Sequence, residues 1–300
     1  MKKETTPTMP TVNSLSGGKT SSYIAKHYPA DYNVFALVRT TDKKCIYPDK
    51  KIRQIVSDKI GCEFIGTLEE DIIIHTMLDL EQFIGTKIDW VTGKPFDDIM
   101  KRKSEKFDKI ATYVPNAMRR FCTSEMKVIP ISQWWYDEIK IPVEMRIGFR
   151  ANEMRRAKTM IEKTNENNLT TEKIQIGKHA NGNKKWKTFE WRTPTFPLID
   201  DGIYKDTIEK YWHGKPVRFA YMNNCIGCFH RVPILLKHMS TRHPEKFDWF
   251  IRQENESMKY YSKSTRFRQD TTYEQIKNHK SQMELFDTDF NECDSGYCGL

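Results

Sequence analysis

Two groups of residues in this chain have the types and spacing to do chemistry. The first is Ser16-Gly17-Gly18-Lys19-Thr20-Ser21-Ser22, which follows a short apolar run around Val12 and Leu15. Adjacent glycines let the backbone turn tightly and approach a ligand, and the flanking hydroxyls add donors. A helix starting near Thr20 or Ser21 would aim its unpaired amides and dipole at an anion. The expected ligand is phosphate, cradled by Ser16, Gly17, Gly18, Thr20 and Ser21 and neutralised by Lys19. The second group is thiol-based. Cys225-Ile226-Gly227-Cys228 puts two sulfurs close enough to share a metal or cluster, or to form a redox pair. Cys122 from another element and Cys293 or Cys298 near the C-terminal end can complete a four-thiolate set. Cys45 and Cys62 have no close sequence partner and read as core residues, and the eight histidines show no ligand or triad spacing.

A third constellation is Gly148-Phe149-Arg150-Ala151-Asn152-Glu153-Met154-Arg155-Arg156. Helical spacings of three let Glu153 orient Arg156 while Arg150 faces a polyanion.

The elements that must hold these groups read as alternating strands and helices. Residues 11–15 predict a strand, 21–27 a helix, 33–38 a buried strand and 48–60 a helix with Ile52, Ile55, Val56 and Ile60 on one face. A strand over 62–65 follows, then helices over 69–84, 95–109 and 130–139, and a strand over 142–148 that delivers Arg150 at its carboxyl end. This is the βαβ pattern of a doubly wound parallel sheet, whose ligands sit beyond the carboxyl ends of the strands. Thr40 and Asp42, just past the second strand, then fall where ribose or base contacts belong. Residues 165–187 are polar and weakly patterned, which predicts an excursion or β-hairpin.

At 300 residues the chain suits one large domain with insertions or two modest ones. No apolar run is long enough to cross a bilayer and the start is polar, so a cytoplasmic protein without membrane contact is expected. Seven cysteines, an odd number, then suit free thiols and metal or redox work better than a disulfide scaffold. The net charge of +9 is concentrated. Segment 101–127 carries eight Lys or Arg against three acids, and 173–192 carries six against one. The second interleaves Lys184, Lys185 and Lys187 with Trp186, Phe189 and Trp191, a mixture suited to tRNA or DNA, with a solvated basic hairpin as the plainer alternative. From Glu284 onward there are five acids and no base.

The loop is not a P-loop, because the position required to be its first glycine is Asn13. It resembles the SGGxDS loop of the PP-loop ATP pyrophosphatases, or adenine nucleotide α-hydrolase-like superfamily, with Thr20 in the Asp position. Further segments resemble the phosphoadenosine phosphosulfate (PAPS) reductase branch of that superfamily. Gly148 to Arg156 is similar to its G-x-R-x-x-E-S-x-x-R segment, with Met154 in place of Ser. Arg120-Phe121-Cys122-Thr123 with Lys127 and Pro130 is similar to R-x-C-T-x-x-x-K-x-x-P, and Pro197-Leu198-Ile199-Asp200 to P-L-x-D-W, with Asp201 in the Trp position. The resemblance covers residues 11–235 and implies a HUP-type α/β fold. A flexible stretch over 1–10 would precede it, a polar basic insertion would occupy about 163–192, and 236–300 would form a helical extension with an acidic, cysteine-containing tail.

The resemblance also implies an adenine nucleotide, ATP with Mg2+ or the sulfonucleotides APS or PAPS, and a [4Fe–4S] cluster. Cys122, Cys225, Cys228 and Cys293 are the expected ligands, with zinc as the rival metal. The relatives' C-terminal E-C-G-L-H segment is echoed by Glu292-Cys293 and Cys298-Gly299-Leu300, which makes Cys298 a candidate nucleophile. ATP cleavage between the α and β phosphates, adenylylating an acceptor that then receives sulfur from a donor, is the leading expectation. A sulfonucleotide reductase is the second, and a non-catalytic nucleotide or nucleic-acid binding protein with a structural metal is the third.

Overall fold

The computed structural model describes residues 9–104, 108–260 and 265–279. Cys293 and Cys298 lie outside these residues. Strand β1 (Thr11–Leu15) feeds helix α1 (Lys19–His27) and strand β2 (Tyr32–Leu37), followed by α2 (Lys50–Ile60), α3 (Ile72–Ile84) and strand β3 (Asp89–Thr92). Helix α4 (Phe96–Ile99) leads into a small antiparallel hairpin of β4 (Lys101–Ser104) and β5 (Lys109–Thr112). Helix α5 (Phe121–Thr123) passes through a wide π-helical turn (Ser124–Val128) into α6 (Ile129–Glu138) and strand β6 (Val143–Arg146). A 3-10 turn (Ala151–Glu153) then enters α7 (Met154–Ile161). Strands β7 (Thr170–Lys178) and β8 (Lys184–Thr195) follow, and then α8 (Pro197–Asp200) and α9 (Lys205–Trp212). Helices α10 (Pro233–Arg242), α11 (Pro244–Met258) and α12 (Tyr273–Asn278) complete the described chain.

The six strands of the main sheet run β3-β2-β1-β6-β8-β7, all parallel except β7 against β8. This is a mixed α/β architecture with a largely parallel sheet flanked by helices. From β1 the chain builds outward to β2 and β3, then returns to place β6 and β8 on the other side. The crevice between β1 and β6 is thus where the connections diverge, and where an open parallel sheet takes ligands.

Strand alternation divides the core. Leu15, Phe35 and Leu37 pack with Ile24 of α1, Val56 of α2 and Met77 of α3. Val12, Val34 and Ala36 point to the other face, against Ile131 and Trp135 of α6 and Ala157 of α7. A third cluster lies past the end of β2. Val38, Phe96 and Met126 meet Ile226, Phe229, Trp249 and Phe250, with Cys122 and Cys225 packed against them. Helices α10 to α12 therefore cover the thiol segment.

Two expectations fail, each for a visible reason. Residues 62–65 form no strand. Gly61 ends α2 in the left-handed conformation, and the chain then crosses Cys45 so closely that a Cβ on Gly66 would lie 1.9 Å from the Cys45 carbonyl oxygen. The third parallel strand is instead Asp89–Thr92. The helix expected over 95–109 lasts only from Phe96 to Ile99, because Phe96, Ile99 and Met100 give one turn of apolar face and the next residues are polar. The hairpin expected over 165–187 is present, but its second arm continues into the sheet, where Val143 pairs with Arg192 and Arg146 with Thr195. Among the described residues, no helix is long and apolar enough to cross a membrane.

Buried Glu254 ties α11 to the following segment, accepting from the amides of Tyr273 (2.7 Å) and Phe267 (3.2 Å). Burial outweighs these bonds and pushes its carboxyl from 4.5 up to about 7. The folded state therefore holds this proton more tightly than the unfolded chain. Its contribution is fully present below the unfolded value and is lost as pH rises through the folded one. Glu254→Gln, which stays neutral, should gain on the wild type by about 1–3 kcal/mol between roughly pH 5 and pH 8 in urea titrations. A pH-independent difference would contradict this.

Candidate functional site

At the carboxyl end of β1 the chain turns through Ser16, Gly17 and Gly18 into α1. Gly17 sits at φ +77°, and a Cβ there would lie 2.7 Å from Ile73 Cγ2, so both backbone angle and space require glycine. Gly18 caps α1 without a side-chain hydrogen bond. The hydroxyls secure the turn from within: Ser16 N donates to Ser21 Oγ (3.1 Å), and Ser21 Oγ donates to the Gly18 carbonyl (3.2 Å). Ser22 is fully buried, and Thr20 faces the neighbouring loop. Ser16 and Ser21 are thus builders of the cradle as well as candidate contacts. Lys19 turns away from it, pairing with Glu209 of α9, while its carbonyl accepts from the Trp212 indole (2.9 Å).

The loop after β6 abuts this turn, since a Cβ on Gly148 would lie 3.4 Å from Thr20 Cγ2. It brings Arg150, which is buried and donates to Glu153 Oε2 through both its amide (2.9 Å) and Nε (3.1 Å). Glu153 also bonds Arg156, whose guanidinium lies 4.1 Å over the Phe149 ring. Glu153 therefore orients both arginines, where the sequence had suggested only Arg156.

Thr40 and Asp42 are engaged elsewhere. Thr40 Oγ1 donates to Asp97 Oδ2 (2.7 Å), whose other oxygen accepts from the Trp249 indole (2.8 Å). Asp42 caps the turn at Lys43–Cys45 and pairs with Arg252 (2.6 Å). Together they clasp the end of β2 to α11.

The thiol segment lies directly on the glycine turn. A Cβ on Gly18 would fall 2.2 Å from Asn223 Nδ2, two residues before Cys225. Asn224 adopts a left-handed φ of +79°, which an asparagine tolerates. Beneath this segment the fully buried Arg231 donates to the carbonyls of Asn223, Asn224 and Cys225. Ile226 N donates to the Leu68 carbonyl (2.8 Å), and Met222 N to Glu70 Oε1 (2.6 Å). Leu68 and Glu70 thus brace the cysteine loop. Asn223 and Arg231 escaped sequence reasoning because their roles depend on tertiary contact; the Asn-Asn pair before the CxxC was the available signal.

Cys122, Cys225 and Cys228 line one cavity of about 50 Å³, with Arg120, Lys127 and His230 in its wall. Lys127 pairs with buried Glu69 (3.3 Å). Burial, reinforced by the Cys228 charge, pushes the Cys122 thiol up to about 11, and burial drives Cys225 well above the usual thiol range. Burial and then Arg120 lower His230 to about 4, so it is neutral at pH 7. Three soft donors from two segments are of the kind that ligates a metal or cluster, and binding one would have to draw them together and release their protons. Among the described residues, no three metal-ligating side chains are grouped closely enough to hold an ion. Arg120 and Thr123 also line a wider groove of about 590 Å³ against α7, to which Arg155, Lys163 and Arg156, itself paired with Glu153, contribute cations and whose lining, among the described residues, includes no carboxylate. Such a groove suits a polyanion.

The basic stretch at 173–192 divides. Alternation turns Phe189 and Trp191 inward onto α6, and Arg192 is buried over the Trp191 ring and lowered by burial to about 10. Arg192 is therefore a packing residue rather than a phosphate contact. Lys173, Lys178, Lys184, Lys185, Trp186 and Lys187 remain exposed. Segment 101–127 exposes Lys101, Arg102, Lys103, Lys109 and Arg119, with the Arg102 guanidinium 4.5 Å from the Phe121 ring centroid.

In comparisons with known proteins, no family model matches this chain and no curated protein matches it significantly.

Gly227 is closely packed within the thiol loop, since a Cβ there would meet the Phe250 ring at 2.5 Å. Gly227→Ala should destabilise the fold by about 1–3 kcal/mol through overpacking, measured by urea denaturation. An unchanged midpoint would refute the contact.

Proposed function

We propose that this chain is an adenine-nucleotide enzyme of the PAPS reductase-like kind, with a HUP-type doubly wound core, that cleaves ATP between its α and β phosphates to activate an acceptor. One observation carries the reading. The glycine turn after β1, at the point where the sheet order diverges, lies against both the Arg150 loop and the segment leading into Cys225. Phosphate chemistry and thiol chemistry would then share one crevice.

On this reading the amides at the start of α1 hold the phosphates, in a turn that Gly17 and Gly18 keep free of side chains. Arg150, held by Glu153, stabilises charge that develops at the α-phosphate, and the cationic groove beside α7 receives the far end of a polyanionic substrate. An acceptor atom attacks the α-phosphorus, and the bond to the bridging oxygen breaks with pyrophosphate as leaving group. Mg2+ bound with the nucleotide would neutralise its phosphates. Cys122, Cys225 and Cys228, with Cys293 as fourth ligand, would hold a [4Fe–4S] cluster, or zinc in its place; either would supply a fixed centre for binding a sulfur donor or the activated acceptor.

One contact favours a sulfonucleotide reductase instead. The pairing of Lys19 with Glu209 takes a cation away from the loop, and APS and PAPS carry no β,γ-diphosphate to neutralise. Cys298 would then be the nucleophile. Thr20, in place of an acidic residue, favours the third reading of binding without turnover.

Pyrophosphate release from ATP supports the first reading, thiol-dependent sulfite release from APS or PAPS the second, and binding without turnover the third. Under the leading reading, Gly17→Ala should weaken ATP binding about tenfold in calorimetry, because strain of the order of 1–3 kcal/mol would reorient the loop amides. Anaerobically purified protein should contain iron and sulfide, or zinc, and Cys122→Ser should lower that content. A folded, metal-free protein that binds no adenine nucleotide would sink the proposal.

A further inference from the structure

The β7–β8 ribbon carries a surface that the nucleotide chemistry does not use. Only Arg192 to Thr195 of β8 pair with β6; from Lys184 to Glu190 the strand pairs with β7 alone. At about 3.3 Å per residue, the twelve residues of β8 put the ribbon's tip roughly 40 Å from the carboxyl end of the sheet. The ribbon therefore projects from the end opposite the glycine turn. Its inner face is anchored, with Ile174 buried and Phe189 against Trp135 and Tyr136 of α6.

The outer face differs in kind. Trp186 stands opposite Gln175, Lys184 opposite Lys178, and Lys173 opposite Thr188. Residues directly opposite one another share a face. Trp186 remains 47% exposed, with the Lys184 ammonium 5.5 Å from its ring centroid. The carboxylate on this face, Glu190, lies at the ribbon's base and accepts from Asn165. The result is a large exposed aromatic ring among three lysines, on a ribbon whose other face does the packing.

We propose that this outer face binds single-stranded nucleic acid. Trp186 stacks on an unpaired base, and Lys173, Lys178 and Lys184 contact the phosphates on either side. A lipid surface fits less well, because one aromatic ring flanked by Gln175 and Thr188 offers too little apolar area for insertion. A base needs only one flat partner. The site stands apart from the nucleotide crevice and does not depend on its chemistry.

The test is fluorescence anisotropy with the full chain and a labelled single strand of about 20 nucleotides, as DNA and as RNA, beside the matched duplex. Trp186→Ala should weaken single-strand binding by about five- to a hundredfold and leave duplex binding unchanged, while Trp186→Phe retains most of the affinity. The pair Lys178→Glu and Lys184→Glu should flatten the dependence of log K on log salt by about 1.4, roughly 0.7 for each phosphate no longer neutralised. Both positions are exposed, so circular dichroism and melting should match the wild type, and ATP affinity should not change. The proposal is overturned if the wild type binds no single strand, if Trp186→Ala binds it equally well, if duplex affinity falls in parallel, or if Trp186→Ala abolishes only binding to phosphatidylserine vesicles. None of these outcomes bears on ATP binding, and a failure to bind ATP leaves the ribbon's result standing.

Discussion

The side-chain amide of Asn223 occupies the space where a Cβ at position 18 would begin, at 2.2 Å. The rest of the carboxyl end of the sheet depends on that contact. With glycine at 18, the segment before the CxxC can lie on the turn after β1, and Arg231 beneath it gathers the carbonyls of Asn223, Asn224 and Cys225. A fully buried guanidinium is costly unless its donors are engaged, and here one terminal nitrogen takes the three carbonyls of one short segment and the other takes Met222 Sδ, while Nε is left without a partner among the described residues. The loop is thereby set in one conformation. Leu68 and Glu70 extend the same bracing to the entry of α3.

Charge is distributed with equal economy. At the carboxyl end of the sheet, acids are tied to basic side chains or amides: buried Glu69 to Lys127, buried Glu70 to His243 and the Met222 amide, and half-buried Glu153 to Arg150 and Arg156. What remains toward the groove beside α7 is positive. The projecting ribbon is positive as well but stands at the opposite end of the sheet. The two basic regions are separate surfaces with different geometry, one a groove and the other an open strand face.

Much of the α/β framework was legible because the strands flanking the site are short apolar runs ended by glycine or polar turns. Thr11–Leu15, the helix ending at Ile60 and Val143–Arg146 fall within a few residues of their expected bounds. The failures share a cause. Residues 62–65 look like a strand because they are largely apolar, yet they form no ladder and lead instead into the close crossing at Gly66 and the bracing of the cysteine loop by Leu68 and Glu70. Thr40 and Asp42 stand beyond the correct strand, but Asp97 and Arg252, remote in sequence, take up their polar atoms. Lys19 is diverted by Glu209, which is 190 positions away along the chain. Local pattern reports backbone state and cannot report which distant side chain will claim a polar group. The convergence of Cys122 with Cys225 and Cys228 on one cavity was foreseen as a grouping, whereas Asn223 and Arg231, which connect it to the glycine turn, were not.

The central claim is that the glycine turn and the cysteine cavity form one site. Differential alkylation with iodoacetamide, read residue by residue by mass spectrometry with and without saturating ATP, tests it directly. Cys62, beyond the end of α2, serves as the internal control. Bound ATP should slow modification of Cys122, Cys225 and Cys228 at least about tenfold, the factor produced by some 1.4 kcal/mol of added protection, and leave Cys62 unchanged. Equal rates at all four cysteines, with ATP demonstrably bound, would contradict it.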